Sequence, residues 1–385
     1  MNNYHNYGPT TSFGSPGSEA SAGRTHAFAE LANESVNRLD ALGIETRLAA
    51  LKTLREIEHS GRQLFMVGPS LPNYVHVHTT ASYGYGVPGV YSVSHMVWSA
   101  HESRAPSTLI IEHESVAHLE EAERAIAIVN RDSEIRLNLA LGVEFKAPIA
   151  LDSPISRAFS SDLRQASGQG EAAWVVGVGA KSCGELTQLV EQFQAAKWVR
   201  AEKQLKRLNH YLSLSPSLEI RALVGPTRNI TDRSLCIAVA KKKWPAANDV
   251  ALLNNAKAVR KLLNPGGPAY ASYPRGLPSY QDLIARLAQL GLIPSFTAQM
   301  RARALATHLA ALVSWGIRAL DTAGIEPTDP EAEKEIQELI VLASRHQLGL
   351  IGGSDYRGAG TGWSCYLPWM DHPLMKTTIG QLARA

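Results

Sequence analysis

After residue 72 the chain alternates short apolar runs with helical stretches, and this alternation limits its possible folds more than any other feature. The runs read TLIIE (108–112), LNLALGV (137–143), AWVVGV (173–178), LIPSF (292–296), IRALD (317–321) and LGLIGG (348–353). Between several of them, helical patterning and its end signals predict helices. One covers 281–290 and is closed by Gly291; another covers 331–348, opened by Thr-Asp-Pro-Glu and closed by Gly349. Strand, helix, strand order on this scale predicts a parallel α/β sheet or barrel. No solenoid-length internal repeat is visible.

With 385 residues and 45% hydrophobic side chains, the chain can bury a large core, enough for a barrel with an appendage or for two domains. Residues 1–25 are rich in Gly, Ser, Pro, Thr and Asn and too poor in apolar groups to offset ordering entropy, which predicts a flexible leader. Over 26–72, Leu39, Leu42, Leu48, Leu51, Leu54 and Ile57 recur at mixed spacings. They predict an N-terminal helical extension, broken near Gly43, that covers one end of the larger domain over 73–385.

Several functions are disfavoured at this level. Net charge is only +3, and the basic clusters at 241–243 and 197–207 are short and interrupted by apolar residues, so no nucleic-acid partner is expected. Cys183, Cys236 and Cys365 lie far apart without CxxC spacing, which speaks against a disulfide framework and a thiolate zinc site and suits a reducing cytoplasm. No apolar run reaches the roughly 18 residues that span a bilayer, and the N-terminus lacks signal-peptide regions, so no membrane association is expected. The expected partner is a small-molecule substrate, and nothing in the sequence sets an oligomeric state.

In parallel α/β domains, functional side chains gather where strands end. His76 and His78 stand two apart in VHVHTTASYGYG (75–86), so simple strand alternation points them the same way, close enough to grip a metal. Glu112–Ser115 (EHES) follows the next strand and Glu144 sits in GVEFKA. Asp321 ends IRALD, and Asp355 lies in GGSDYRG. Histidines and carboxylates at successive strand ends form a ligand set for a divalent metal, zinc, manganese or iron.

The ordered series HVHTTAS, IIEHES, GVEF and GGSD, over about residues 73–360, resembles the polymerase and histidinol phosphatase (PHP) superfamily. Members of that superfamily read HxHTxxSDG, TDH, GxE, a further histidine, AHP and SDxH. RNITDRSLCIAVAKK (228–242) is also similar to a helix-opening segment of these proteins. The resemblance implies a distorted (β/α)7 barrel of seven parallel strands and metal-dependent phosphoester hydrolysis. It further implies that His76, His78, Glu144 and Asp355 ligate a first metal, with Glu144 in the place of a bridging carboxylate, and that His113 occupies the place of a ligand to another.

The chain departs from the pattern at several points. Tyr83 replaces the aspartate of the first motif, and Tyr356 stands where many members have a ligand. LIPSF lacks the AHP histidine, leaving Ser295 or Thr297. The central histidine, expected at the end of AWVVGVGAK, is absent unless His210 serves. The expectation is therefore one well-held ion, with a second left open.

If His113 is released from metal duty it becomes the expected general acid or base, because its ordinary pKa lies near neutrality. Tyr83 and Tyr356 are candidate hydrogen-bond donors to substrate. Asp321 is read either as a ligand-sphere residue or as a cap. Arg228, Arg233, Arg357 and Lys181 are candidates for binding an anionic group. His95, His101 and His118, in the stretches between strands, are read as structural, and the aromatic residues of WSCYLPW as packing. Three functions follow in order. The first is a metal-dependent hydrolase of a small phosphorylated or anionic metabolite. The second is a metal-dependent amide or C–N hydrolase or lyase with His113 as proton carrier. The third is an inactive PHP-fold binding protein.

Overall fold

Seven strands pair in chain order in one sheet: β1 (Tyr74–Val77), β2 (Thr108–His113), β3 (Leu139–Pro148), β4 (Ala172–Val178), β5 (Ile293–Thr297), β6 (Ala319–Asp321) and β7 (Gly349–Ile351). They belong to a computed structural model that describes residues 19–60, 74–83, 87, 89–105, 107–133, 136–149, 172–223, 229–272, 274–297, 301–323, 325, 330–353, 355 and 357. Most predicted apolar runs become strands. β2 is buried at all six positions, as expected of a strand covered on both faces.

The all-parallel expectation fails at β4. The pairs β1–β2, β2–β3, β5–β6 and β6–β7 are parallel, but β4 runs antiparallel to β3, from Gly142 opposite Val178 to Pro148 opposite Ala172, and antiparallel to β5. An apolar run buried on both faces carries no record of its direction, which is why the sequence pattern missed the reversal.

The expected closed barrel is also only partly realised. Among the described residues no β1–β7 ladder exists, but the sheet curls until the segment after β7 touches β1. At Gly353 a β-carbon would lie 2.0 Å from the carbonyl oxygen of Val75, so only glycine permits this approach. The curl brings residues from the two ends of the sheet to one place.

Helices cover the sheet. α1 (Glu19–Arg38) begins within the 1–25 segment, and the break near Gly43 separates it from α2 (Ile44–His59). α3 (Thr80–Tyr83), α4 (Val93–Glu102) and α5 (Leu119–Val129) follow, and α2 packs on α4 and α5. The apolar face of α2, with Leu48, Leu51 and Leu54, joins Trp98, Ile111, Phe145 and Phe296 in the main core. Burying each such side chain contributes about 1.5–3 kcal/mol.

Between β4 and β5 the chain makes a long helical excursion: α6 (Gly184–Tyr211), α7 (Ile220–Leu223), α8 (Asp232–Lys243), α9 (Asp249–Leu262) and α10 (Tyr280–Gln289). Leu205, Leu208, Leu235, Ile237 and Val259 of α6, α8 and α9 form a second core, to which Tyr83 and Val87 from the β1 side belong. This anchors the helical lobe beside the C-terminal end of β1. α11 (Ala302–Trp315) and α12 (Pro330–Arg345) are the crossovers of the last strands. No described helix is long and apolar enough to cross a membrane.

Candidate metal centre

His76 and His78 are brought together by a bulge, not by simple alternation. The β1–β2 register shifts between Val75 and Val77, and His76 has φ 52°, a left-handed conformation uncommon for a side-chain-bearing residue. β1 ends at Val77, so His78 sits just beyond it. The two rings lie 5.2 Å apart, centre to centre. Glu114 (φ 36°) and Asp355 (φ 47°) share the left-handed region. Such residues cost roughly 1–3 kcal/mol each and concentrate at functional sites.

The second half of the centre comes from neighbouring strand ends. His113 and Glu144 are register partners on β2 and β3, and His113 Nδ1 lies 3.0 Å from Glu144 Oε2. On its other side, His113 Nε2 is 2.8 Å from the Tyr83 hydroxyl. The His113 ring stacks on that of His78 at 4.4 Å. Thr297 at the end of β5 donates its hydroxyl to Glu144 Oε1 at 3.5 Å.

Asp321 and Asp355 arrive from the far edge of the sheet. Asp321 Oδ2 is 2.6 Å from His76 Nδ1, while its Oδ1 accepts the Ala323 amide at 2.9 Å. Asp321 therefore both orients an imidazole and caps a turn, and it stands outside the two groups of converging donors. Asp355 Oδ1 lies 3.5 Å from His78 Nε2 and 3.9 Å from His76 Nε2, and accepts from Arg357 Nε at 2.6 Å.

The electrostatics are strongly polarised. Burial opposes protonation of His76, but Asp321, backed by Glu144 and Asp355, raises its pKa to about 9. Burial, reinforced by His113, pushes His78 down to about 3. Burial, with Arg357 and Lys197, holds His113 well below the usual imidazole range, so it is neutral at physiological pH. Burial works against the Asp355 carboxylate, yet Arg357 and the neighbouring histidines keep it well below the ordinary range. A neutral His113 fits a metal ligand and, of the expected acid-or-base role, the proton-accepting half.

The donor set fits a cation. His76 Nε2, both nitrogens of His78, His113 Nδ1 and Glu144 Oε2 are buried without a hydrogen-bond partner. Such orphaned polar atoms are costly unless something satisfies them. They fall into two overlapping groups, His76, His78 and Asp355, and His78, His113 and Glu144, with the ligating atoms of each within 4.8 Å of one another. Imidazole and carboxylate donors suit divalent transition metals. Asp321 on the far nitrogen of His76 is the carboxylate–histidine relay that usually backs such ligands.

Of the remaining predicted residues, Arg233 and Arg357 line a cavity that opens beside the centre. Lys181 is exposed and absent from that cavity's lining, and His210 is exposed near the end of α6. Neither joins the donor groups. Ser295 turns its hydroxyl toward the carbonyl of Ile293. Arg228 and Tyr356 lie outside the described residues. His95 and His101 pair with Asp40 and Glu58, a structural use consistent with their reading.

Sequence reasoning overlooked the scaffold behind the donors. Glu112, fully buried, accepts from the Thr79 amide and hydroxyl at 3.0 and 2.5 Å and from the Ser82 hydroxyl. It pins the turn after β1, and burial, partly offset by these donors, raises its pKa to about 7. Glu114 binds the Lys146 amide and Lys197 Nζ, and Asn229 donates to the His113 carbonyl at 2.6 Å. The signal was present in HTTAS followed by EHE, since hydroxyls and a carboxylate at two adjacent strand ends are able to bond each other.

The cavity has a volume of about 440 Å3 and is walled by His113, Tyr83 and Trp174 on the centre's side and by α8 and α9 on the other. Lys146, two residues beyond Glu144 on β3, faces it and lies 5.4 Å over the Trp174 ring. Burial lowers the Lys146 pKa to about 8.

No family model matches the chain. No curated protein matches it either. Solved structures do. A "putative metal-dependent phosphoesterase" from Bifidobacterium adolescentis superposes with a TM-score of 0.55 at 19% identity, covering 82% of this chain and 98% of that one. An amidohydrolase from Chromobacterium violaceum, with bound sulfate and no metal, superposes with a TM-score of 0.56 at 15% identity, covering 80% and 95%. At these identities the likeness establishes a shared fold over most of the chain, a mixed α/β architecture.

Proposed function

We propose that this chain is a metal-dependent hydrolase of the PHP type, acting on a small phosphorylated or otherwise anionic metabolite. The observation that carries the reading is the convergence, beside a basic cavity, of partnerless buried atoms of His76, His78, His113 and Glu144 with the Asp355 carboxylate from the far end of the sheet. The proposed ligands are His76, His78, Asp355, Glu144 and His113, for one divalent ion with a place for a second. Zinc, manganese and iron all suit these donors.

When bound, the ion supplies Lewis-acid polarisation of the scissile group and lowers the pKa of the attacking water. The chain's own residues do the rest. Asp321 holds His76 through Nδ1 so that Nε2 faces the centre, and Tyr83 occupies Nε2 of His113 so that Nδ1 does. Arg357, beside Asp355, orients the anionic group, and Trp174, 4.9 Å from the His113 ring, excludes water from one side. In the net reaction water adds to phosphorus, the bond to the leaving oxygen breaks, and the alcohol departs with a proton.

Elemental analysis and an aryl phosphate assay with added manganese or zinc test the proposal. About one equivalent of metal and turnover that disappears in His76→Ala are expected. Silence across metals and esters, with no bound metal, overturns it. A second reading, hydrolysis of an amide or C–N bond or a lyase reaction at the same ion, draws on the loss of the histidines that hold further metals in the resembled superfamily and on the likeness to a protein called an amidohydrolase. An N-acyl amino acid panel separates the two.

A further inference from the structure

The cavity beside the centre carries far more positive charge than one anionic group needs. Its wall includes seven basic side chains against three acidic ones. Three bases are matched, Lys197 by Glu114 at 2.7 Å, Arg200 by Asp232 at 3.0 Å and Arg357 by Asp355 at 2.6 Å. What distinguishes the cavity is the convergence of Arg357, Arg233 and Arg260 from three separate segments: the chain after β7, the first turn of α8 and the last turn of α9.

These three form a graded series. Arg357 faces the centre, where its field reaches Asp355, Tyr83 and His113. Arg233 lies between the others: burial and repulsion from both Arg357 and Arg260 lower its pKa, against an opposing effect of Tyr83. The field of Arg260 falls on Asp232, Lys146 and Arg233. Lys257, three residues before Arg260 on α9 and so on the same helical face, adds a further base to that side of the lining. Gathering like charges in a partly enclosed space is unfavourable unless a counter-charge is bound. The lining also includes Trp174, Ile237 and Leu253, an apolar surface that suits an organic body and not a string of phosphates.

We propose that this cavity takes a small organic molecule bearing two separated anionic groups, one held at Arg357 beside the donor cluster and the other held by Arg260 and Lys257 on α9, with the body between them lying over Trp174. The inference rests on the proposed function only for what happens at the first anionic group.

Calorimetric titration of the chelator-treated full chain with 1,5-pentanediol bisphosphate and with pentyl phosphate tests it without metal or turnover. The bisphosphate is expected to bind at least about ten-fold tighter, the factor typical of a charge-assisted hydrogen bond. Arg260→Gln should erase that preference while leaving the monophosphate affinity unchanged, and Lys257→Gln should reduce it. Should Arg260→Gln not fold, the preference and its reduction in Lys257→Gln, an exposed position, decide the matter. Equal affinities for the two probes, or equal weakening of both in the α9 variants, overturn the inference. Aryl phosphate turnover without a bisphosphate preference refutes the subsite and spares the hydrolase. The converse result refutes the hydrolase and spares the subsite.

Discussion

Two regions of this molecule bury histidines next to carboxylates, and they do so in opposite ways. Where α1 and α2 meet α4 and α5, each such side chain finds a charged partner across the packing, although His95 Nε2 is itself buried without a hydrogen bond. His95 Nδ1 lies 2.6 Å from Asp40, His101 Nε2 lies 3.1 Å from Glu58, and the buried Arg47 engages both oxygens of Glu121. Ser94 adds its amide and hydroxyl to Glu121 at 3.0 and 2.7 Å. At the strand ends, by contrast, atoms of His76, His78, His113 and Glu144 face one another with no hydrogen-bond partner. Pairwise satisfaction marks groups that hold the fold together. Convergence without satisfaction marks groups that the fold holds apart for something else, at a cost in stability.

The contrast breaks most sharply at His78, the residue common to both donor groups. In His78→Leu, which removes the nitrogens while keeping bulk, metal content should fall from about one equivalent to none. Turnover should drop roughly a thousand-fold, the equivalent of several kcal/mol of Lewis-acid stabilisation. The metal-free variant should melt no lower than the metal-free parent, because replacing partnerless polar atoms by apolar ones is close to neutral. A large drop in its melting temperature would show that these nitrogens hold the fold after all.

The opposite outcome is expected at Glu121. Its side chain is 3% exposed, and Glu121→Gln leaves the Arg47 guanidinium buried against a neutral amide. Breaking a buried pair from one side costs about 3–5 kcal/mol. Urea denaturation should read that loss, while turnover per folded molecule stays at the parent level. Loss of turnover with stability intact would mean the two regions are not separate in function.

The difference between the regions was only half legible in the sequence. HVH, EHES, GVE and GGSD identified the strand-end groups, because a polar residue that closes an apolar run is visible in one dimension. Which of them meet was not visible, since the contact between His76 and Asp321 spans 245 positions and depends on the curl of the sheet and on the approach at Gly353. The bulge at His76 was hidden as well, because alternation is a property of regular strands and VHVH does not advertise a break. The reversal of β4 left no trace because a strand covered on both faces reads alike in either direction. The arginines of the cavity were legible only as residue types. Arg233 and Arg357 were picked as anion binders, whereas Arg260, in the polar face of an ordinary amphipathic helix, looks like any solvated base until α9 is folded against α8.

Asp321 gives a finer test, because it belongs to both patterns: it is paired like the N-terminal residues, yet its partner His76 belongs to the orphaned set. Asp321→Asn keeps the shape and removes the charge that backs His76. Metal affinity should fall about 10–100-fold, the usual effect of losing such a supporting carboxylate. A titration against a fluorescent zinc chelator measures this directly, and an unchanged affinity would assign Asp321 to the turn at Ala323 alone.

His118 completes the comparison as a buried histidine that follows neither rule: among the described residues no carboxylate pairs with it, and it lies outside both donor groups. Burial drives its pKa down to about 3, against a modest opposing contribution from the backbone of Gly142. In the unfolded chain the same imidazole titrates near 6.5. Between those two values the unfolded state holds a proton that the folded state does not, so the stabilising contribution is complete above pH 6.5 and shrinks as the pH falls toward 3. One such group gives a slope of about 1.4 kcal/mol per pH unit. Denaturation of the chelator-treated protein at pH 7, 6 and 5 should show His118→Phe losing less stability than the parent over the acid half of that range, by about one proton's worth. If the two slopes coincide, His118 is charged and paired within the fold, and burial without a carboxylate partner is not enough here to keep an imidazole neutral.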